Sequence, residues 1–186
     1  MNIMIVGVGG QGTLLASRIL GNVAINEGYD VKVSEVHGMS QRGGSVVTYV
    51  KYGEKIYSPI IGKGEADIIL AFEMLEAYRA LPYLKKGGKM IVNTQEINPM
   101  PVITGAAKYP EGLEEKISAE CDLTAIDARS IAMEIGNIKA VNVVLIGVLA
   151  KSTEVPYEKW IEALKATVPA KFLDLNLKAF DKGYGA

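Results

Sequence analysis

One cysteine (Cys121) and one histidine (His37) in 186 residues remove several kinds of chemistry at once. A single thiol cannot hold an iron–sulfur cluster, and one thiol with one imidazole is a poor start on a zinc site, so no metal site is expected. Cys121 reads as a core or near-surface thiol. No nucleophile–base pair is visible along the chain either: Ser45 has no elbow motif around it, and no histidine lies near Cys121 in sequence. A charge excess is also missing, with 20 Lys and Arg against 21 Asp and Glu. The basic residues are scattered, whereas phosphate backbones call for a concentrated positive field, so nucleic acid is not the expected partner. The longest apolar run, Val143 to Ala150, falls well short of the roughly 20 residues that cross a bilayer. It reads as a buried helix, and no membrane association is expected. Met1 leads straight into a strand-like run without a basic n-region, so the expectation is a cytoplasmic protein without a secretory signal.

What the chain does have is a core: 49% apolar and 22% charged residues at this length suit one domain spanning residues 1–186. It opens on Ile3-Met4-Ile5-Val6, a run suited to a parallel strand buried on both faces. The run stops at Gly7-Val8-Gly9-Gly10-Gln11-Gly12. Gly7, Gly9 and Gly12 have the spacing that turns a backbone tightly, lets a ligand approach and packs the following helix. Gln11 to Glu27 carries Leu15, Ala16, Ile19, Leu20, Val23 and Ala24 on one face, and the N–H groups at its start could receive an anion. The same glycines would equally serve strand-to-helix geometry alone.

Downstream, Gly28 fits a helix cap, and a second strand runs to Val36. Ser45 to Tyr52 reads as a third strand, turned by Gly53-Glu54 into Lys55 to Ser58 as a hairpin-like excursion. Asp67 to Phe72, Lys89 to Asn93 and Leu123 to Ile126 complete the strands. Helices are expected over Glu73 to Leu81, Leu113 to Ala119, Ala128 to Ile135 and Ala140 to Lys151, with residues 94–110 irregular. Ser152 or Thr153 is placed to cap a helix with Pro156 in its first turn and Trp160, Ile161, Leu164 and Val168 as its apolar stripe. The last helix is expected to bury Phe172 or Leu173, Leu177 and Phe180. This alternation predicts an α/β, Rossmann-like open and mostly parallel sheet with helices on both faces.

The second strand leads into a second glycine-rich loop, His37-Gly38-Met39-Ser40-Gln41-Arg42-Gly43-Gly44-Ser45. Both loops follow strands of the sheet and are expected to line one crevice at its carboxyl edge. Arg42 can clamp a carboxylate or phosphate bidentately, and Gln41 and Ser45 add an amide and a hydroxyl. His37 is the one candidate for proton transfer, with a loop-fixing role as the alternative. Glu35 lies about 20 residues beyond Gly12, where a dinucleotide fold places its ribose-binding acid, so a stand-alone NAD or FAD oxidoreductase is one reading. A small-molecule-binding regulatory module is another. Asp67, Glu73 and Glu76 are expected to be solvated.

Taken together, Gly7 to Gly12, Ser34 to Ser45, Asp127-Ala128, Gly136-Asn137 and Asn142 through Gly147 resemble the gamma-type domain of the 2-oxoacid (pyruvate) ferredoxin oxidoreductases. Within that family the pattern is most similar to the small subunit of the indolepyruvate enzymes. The resemblance implies a subunit of a complex that decarboxylates an arylpyruvate oxidatively to an acyl-CoA. Thiamin diphosphate and iron–sulfur clusters would lie on a large alpha subunit, and ferredoxin would accept the electrons. It implies no cofactor held by this chain alone, with coenzyme A as co-substrate. Gly7, Gly9, Gly10, Gln11 and Gly12, with Gln41, Arg42, Gly43, Gly44 and Ser45, would then hold coenzyme A or form the subunit interface.

Overall fold

The centre of the sheet is β1 (Asn2–Val8), buried at every position from Ile3 onward. Its side chains alternate between two cores. Ile3 and Ile5 enter one, Met4 and Val6 the other, and each fully buried aliphatic side chain contributes about 1.5–3 kcal/mol. The computed structural model describes residues 1–38 and 43–186. Around β1 stand β2 (Asp30–His37), β3 (Ser45–Gly53), β4 (Ala66–Ala71), β5 (Leu84–Asn93) and β6 (Asp122–Ile126). The order is β2-β3-β1-β4-β5-β6. β1, β4, β5 and β6 are mutually parallel, while β3 lies antiparallel between β1 and β2.

The expected α/β, mostly parallel sheet is therefore present, but its hairpin is not where the turn residues put it. β2 pairs with β3 across the second glycine-rich loop. Lys55 to Ser58 forms no strand, because both edges of β3 are already taken, by β1 and by β2. Asp30 instead accepts the Ile56 N–H at 2.9 Å and holds this segment beside the sheet. β5 also begins earlier than expected, running from Leu84 through Gly87, whose φ of 77° is open to glycine.

One face is covered by α1 (Thr13–Asn26), α5 (Ala128–Glu134), α6 (Val141–Lys151), α7 (Tyr157–Thr167) and α8 (Leu173–Tyr184). The other is covered by α2 (Met74–Ala80) and α4 (Leu113–Ser118), and α3 (Met100–Ile103) is a single turn within the connection expected to be irregular. No helix among the described residues is long and apolar enough to cross a membrane. Gly28 stands just past α1 with φ 84°, as its capping role requires. Pro156, rather than Ser152 or Thr153, precedes α7. The two hydroxyls point backwards, donating to the Val148 and Ala150 carbonyls in the last turn of α6.

α6 is buried from Val141 to Ala150 and crosses α8 at a contact between backbones. A Cβ on Gly183 would stand 1.9 Å from the Val144 carbonyl oxygen, and one on Gly147 would stand 2.3 Å from that of Phe180. Neither obstacle is a flexible side chain, so relief requires the helices to separate. Gly183→Ala is expected to lose about 3 kcal/mol in urea unfolding. Gly21→Ala, on α1 with its nearest neighbour at 4.0 Å, should gain about 0.5–1 kcal/mol by the same measurement. Equal effects would contradict this account of the crossing.

Candidate functional site

The glycine turn is shaped by a side chain that crosses it. Gln11 accepts the Val8 N–H through Oε1 at 2.7 Å and donates through Nε2 to the Phe72 carbonyl at 3.0 Å. It therefore spans the exits of β1 and β4, where the chain leaves for helices on opposite faces of the sheet and where open α/β sheets bind ligands. Gly7 makes the crossing possible, since a Cβ there would meet Gln11 Oε1 at 2.8 Å and Phe72 Cβ at 3.0 Å. Gly12 has φ 84°, and a Cβ on it would reach Asn142 Nδ2 at 2.6 Å. The absence of that carbon lets the start of α6 approach the start of α1.

Beyond the turn lies a cleft of about 590 Å³. Gly10, Gln11 and Gly12 form one wall, Gln95 and Ile97 another, and Ile138, Lys139, Val141 and Asn142 contribute the third. α1 has no side-chain N-cap, so its N-terminal end is open here, whereas α6 continues from the 3-10 turn Ile138–Ala140 and its Val143 N–H is taken by Asn142 Oδ1 at 2.9 Å. Gly10 has φ 101° and nothing within 4 Å of the position of a Cβ. Lys139 adds a positive charge to this wall. Sequence reasoning missed Lys139 and Gln95; Asn142 entered only as the first residue of the stretch Asn142 through Gly147 that carries the family resemblance.

The two glycine-rich loops meet: the Gly9 N–H donates to the Gly44 carbonyl at 2.9 Å. Gly38 donates to the Ser45 carbonyl at 3.2 Å and closes the base of the second loop, in which Gly43 has φ 78°. Gln41 and Arg42, named as ligand contacts from sequence, lie outside the described residues. The Ser45 hydroxyl is 2.5 Å from Glu76 Oε2, so it anchors the loop to α2. His37 is half-exposed, with Nε2 2.7 Å from Glu35 Oε1. The other Glu35 oxygen accepts from Thr48 at 2.9 Å and from Thr13 at 3.4 Å. That carboxylate is occupied within the sheet, and β3 separates its strand from β1, so Glu35 does not stand where a ribose-binding acid would.

Glu73 and Glu76 overturn the expectation of solvated carboxylates: they are 1% and 5% exposed. Glu76 pairs with Arg79 at 2.6 Å as well as with Ser45. Glu73 Oε2 takes the Glu76 N–H at 2.9 Å, and its Oε1 takes the Ile97 N–H at 3.0 Å and the Tyr109 hydroxyl at 2.5 Å. One carboxylate thereby caps α2 and straps down both ends of the 94–110 connection. Burial, and then the hydrogen bond to Glu73, push the Tyr109 hydroxyl well above its ordinary pKa.

Comparison with known proteins decides the family. The model for the pyruvate ferredoxin/flavodoxin oxidoreductase family matches residues 2–186. The chain belongs to that family. Its relatives include indolepyruvate oxidoreductase subunit IorB of Thermococcus kodakarensis, 47% identical over 191 residues, which cover all of this chain and 95% of the relative. The pyruvate/ketoisovalerate oxidoreductases common subunit gamma of the same organism is 29% identical, over 96% of this chain and 92% of its own. Among solved structures, the gamma subunit of a keto/oxoacid ferredoxin oxidoreductase from Geobacter sulfurreducens PCA superposes with a TM-score of 0.74 at 27% identity. That match covers 99% of this chain and 96% of the other. Matches along the whole length to subunits of this oxidoreductase family, together with the occupied Glu35, leave the stand-alone NAD or FAD reading and the regulatory-module reading without support.

The Glu73 strap gives a direct test. Tyr109→Phe removes one donor from a buried carboxylate and one acceptor from the Leu75 N–H, which bonds the phenolic oxygen at 3.1 Å. A loss of about 1–3 kcal/mol in urea unfolding is expected, with faster amide exchange at Ile97. An unchanged midpoint would mean that the strap carries no stability.

Proposed function

We propose that this chain is the accessory, gamma-type subunit of an arylpyruvate ferredoxin oxidoreductase, with indolepyruvate as the 2-oxo acid, and that residues 1–186 act as its single gamma-type domain. The observation that carries this reading is the co-linear 47% match to an indolepyruvate oxidoreductase subunit, set against 29% for the pyruvate/ketoisovalerate subunit. A large partner subunit then holds thiamin diphosphate and the iron–sulfur clusters. Those groups supply decarboxylation and electron transfer to ferredoxin, and the acyl group passes to coenzyme A.

Within that complex the cleft at the glycine turn holds the phosphates of coenzyme A. The chemistry of its walls fits a polyanion: the N-terminus of α1 without a side-chain cap, the open backbone at Gly10, and the Lys139 ammonium. Gln11 contributes by fixing the turn, since both ends of its amide are used within the protein. Ser45, Gly43 and Gly44 act in the same way on the second loop, leaving Gln41 and Arg42 as the contacts proposed toward the ligand or the partner subunit. His37, oriented by Glu35, is a proton-transfer candidate facing the same side.

Co-purification of the tagged chain without oxygen should bring down a large brown subunit, and indolepyruvate-dependent reduction of ferredoxin should require both chains. A large subunit fully active alone would overturn the accessory role. In the assembled complex, Lys139→Ala is expected to raise KM for coenzyme A about tenfold, the size of one charge-assisted contact. An unchanged KM would remove Lys139 from the phosphate site.

A further inference from the structure

β2 is a terminal strand of the sheet, and its outer edge has none of the devices that normally protect one. It runs eight residues, from Asp30 to His37, contains no proline and pairs with β3 without a bulge. The Gly38 N–H donates to the Ser45 carbonyl, which puts the even-numbered backbone groups of β2 on the β3 side, since the two sides alternate along a strand. The N–H and C=O groups of Val31, Val33 and Glu35 therefore point outward, without a ladder partner among the described residues.

The side chains beside this edge are apolar. Val33 is 45% exposed, and Leu14 and Ile25 of α1 are 46% and 58% exposed. Val31 and Val33 line one open groove of about 590 Å³ with Leu14, Arg18 and Ile25, so strand and helix present a single surface. Positions 14, 18 and 25 are spaced by four and then seven residues, which puts them on one face of the helix. The charges of β2 are already used within the chain: Lys32 pairs with Asp30, and His37 lies against Glu35. A strand edge with exposed aliphatic neighbours and its own charges paired is a surface that another strand completes.

We propose that this chain pairs with a second copy of itself along β2, antiparallel and with Val33 on the two-fold axis, so that two six-stranded sheets become one. In such a pair one residue stands opposite its own copy, and residues equally far before and after it stand opposite each other. An axis at Lys32 or at Glu35 would set like charges face to face, and an axis at Ser34 would set each exposed Val33 against a carboxylate. The axis at Val33 brings the two exposed valines together and sets Lys32 opposite Ser34. Val31, which then meets Glu35, is already packed on the core of its own chain. All outward groups from Val31 to Glu35 find partners, and the two α1 helices approach antiparallel, Leu14 of one toward Ile25 of the other. None of these residues lines the cleft at the glycine turn, so the pairing stands whatever ligand that cleft holds.

The test uses the assembled complex carrying Cys121→Ser, which removes the one cysteine of the chain, together with Val33→Cys. Opposed Cα atoms of a hydrogen-bonded antiparallel pair stand about 5.5 Å apart, within the span of a disulfide. Mild oxidation is therefore expected to join most of this chain to a second copy. Val36→Cys in the same background, also at an exposed position, is the control: its two copies would lie six residues apart along the paired strands, about 20 Å, and should stay unlinked. Hydrogen exchange on the unmodified complex needs no variant. The Val31, Val33 and Glu35 amides are expected to exchange at least a hundredfold more slowly than those on the edge of an unpaired strand. The absence of a chain-to-chain link through Val33→Cys, equal linking through Val36→Cys, a link to the large subunit instead, or fast exchange at the three amides each overturns the pairing. The same readings apply to the full chain purified alone, so failure of the large-subunit assignment is seen separately.

Discussion

Two side-chain amides hold the carboxyl edge of the sheet in register. Gln11 and Asn93 both donate to the Phe72 carbonyl, at 3.0 and 3.1 Å, and Asn93 also accepts the Ala128 N–H at 3.2 Å. In this way the exits of β1, β4 and β5 are tied to one another and to the start of α5, beyond β6. Backbone pairing alone would not do this, because strand hydrogen bonds end where the chain turns away. Asn93 is fully buried, so its bonds are made in a medium where leaving them unmade is expensive. The glycines at positions 7 and 12 follow from this arrangement: one clears the path of the Gln11 amide and the other admits Asn142.

The insertion of β3 between β1 and β2 is the other organising choice. In a simple β-α-β unit β2 would lie beside β1, and its terminal carboxylate would face the first glycine turn. Here β3 occupies that place, and its pairing on both sides brings Gly44, at the base of the second loop, against Gly9 of the first. The result is one composite edge built from two glycine-rich loops, with Glu35 turned inward to Thr48 and His37. Two buried carboxylates on the far side, Glu73 and Glu76, complete it by fixing the 94–110 connection and the base of the second loop.

Much of this was legible in the sequence, and the exceptions have physical causes. β1, the glycine turn and the buried helix α6 declare themselves through periodicity and β-branched runs, which are local signals. The hairpin was misplaced because Gly53-Glu54 is a good local turn, while the actual partner of β3 is decided by the competition of three strands for two edges. Glu73 and Glu76 read as solvated because charge is normally exposed. Their burial depends on donors from Ile97, Tyr109 and Ser45, which lie more than 20 residues away and cannot be paired with them by spacing. Of Phe172 and Leu173, offered as alternatives for the buried face, Leu173 packs against the core, while the single turn of 3-10 helix at Ala170–Phe172 leaves Phe172 exposed. Lys139 was indistinguishable from any other surface lysine until the fold brought it to the wall of the cleft.

The hydrogen bond between Gly9 and Gly44 makes the two loops parts of one mechanism. A displacement of the first turn must either carry the second loop with it or break a bond of 2.9 Å, so the conformational free energies of the two are coupled. By linkage, whatever stabilises one arrangement of the first loop favours the compatible arrangement of the second by the same amount, and the reverse holds equally. Events at the second loop are in this sense felt at the first, with the Gly9–Gly44 bond beside the last pair of the β1–β3 ladder as the transmission.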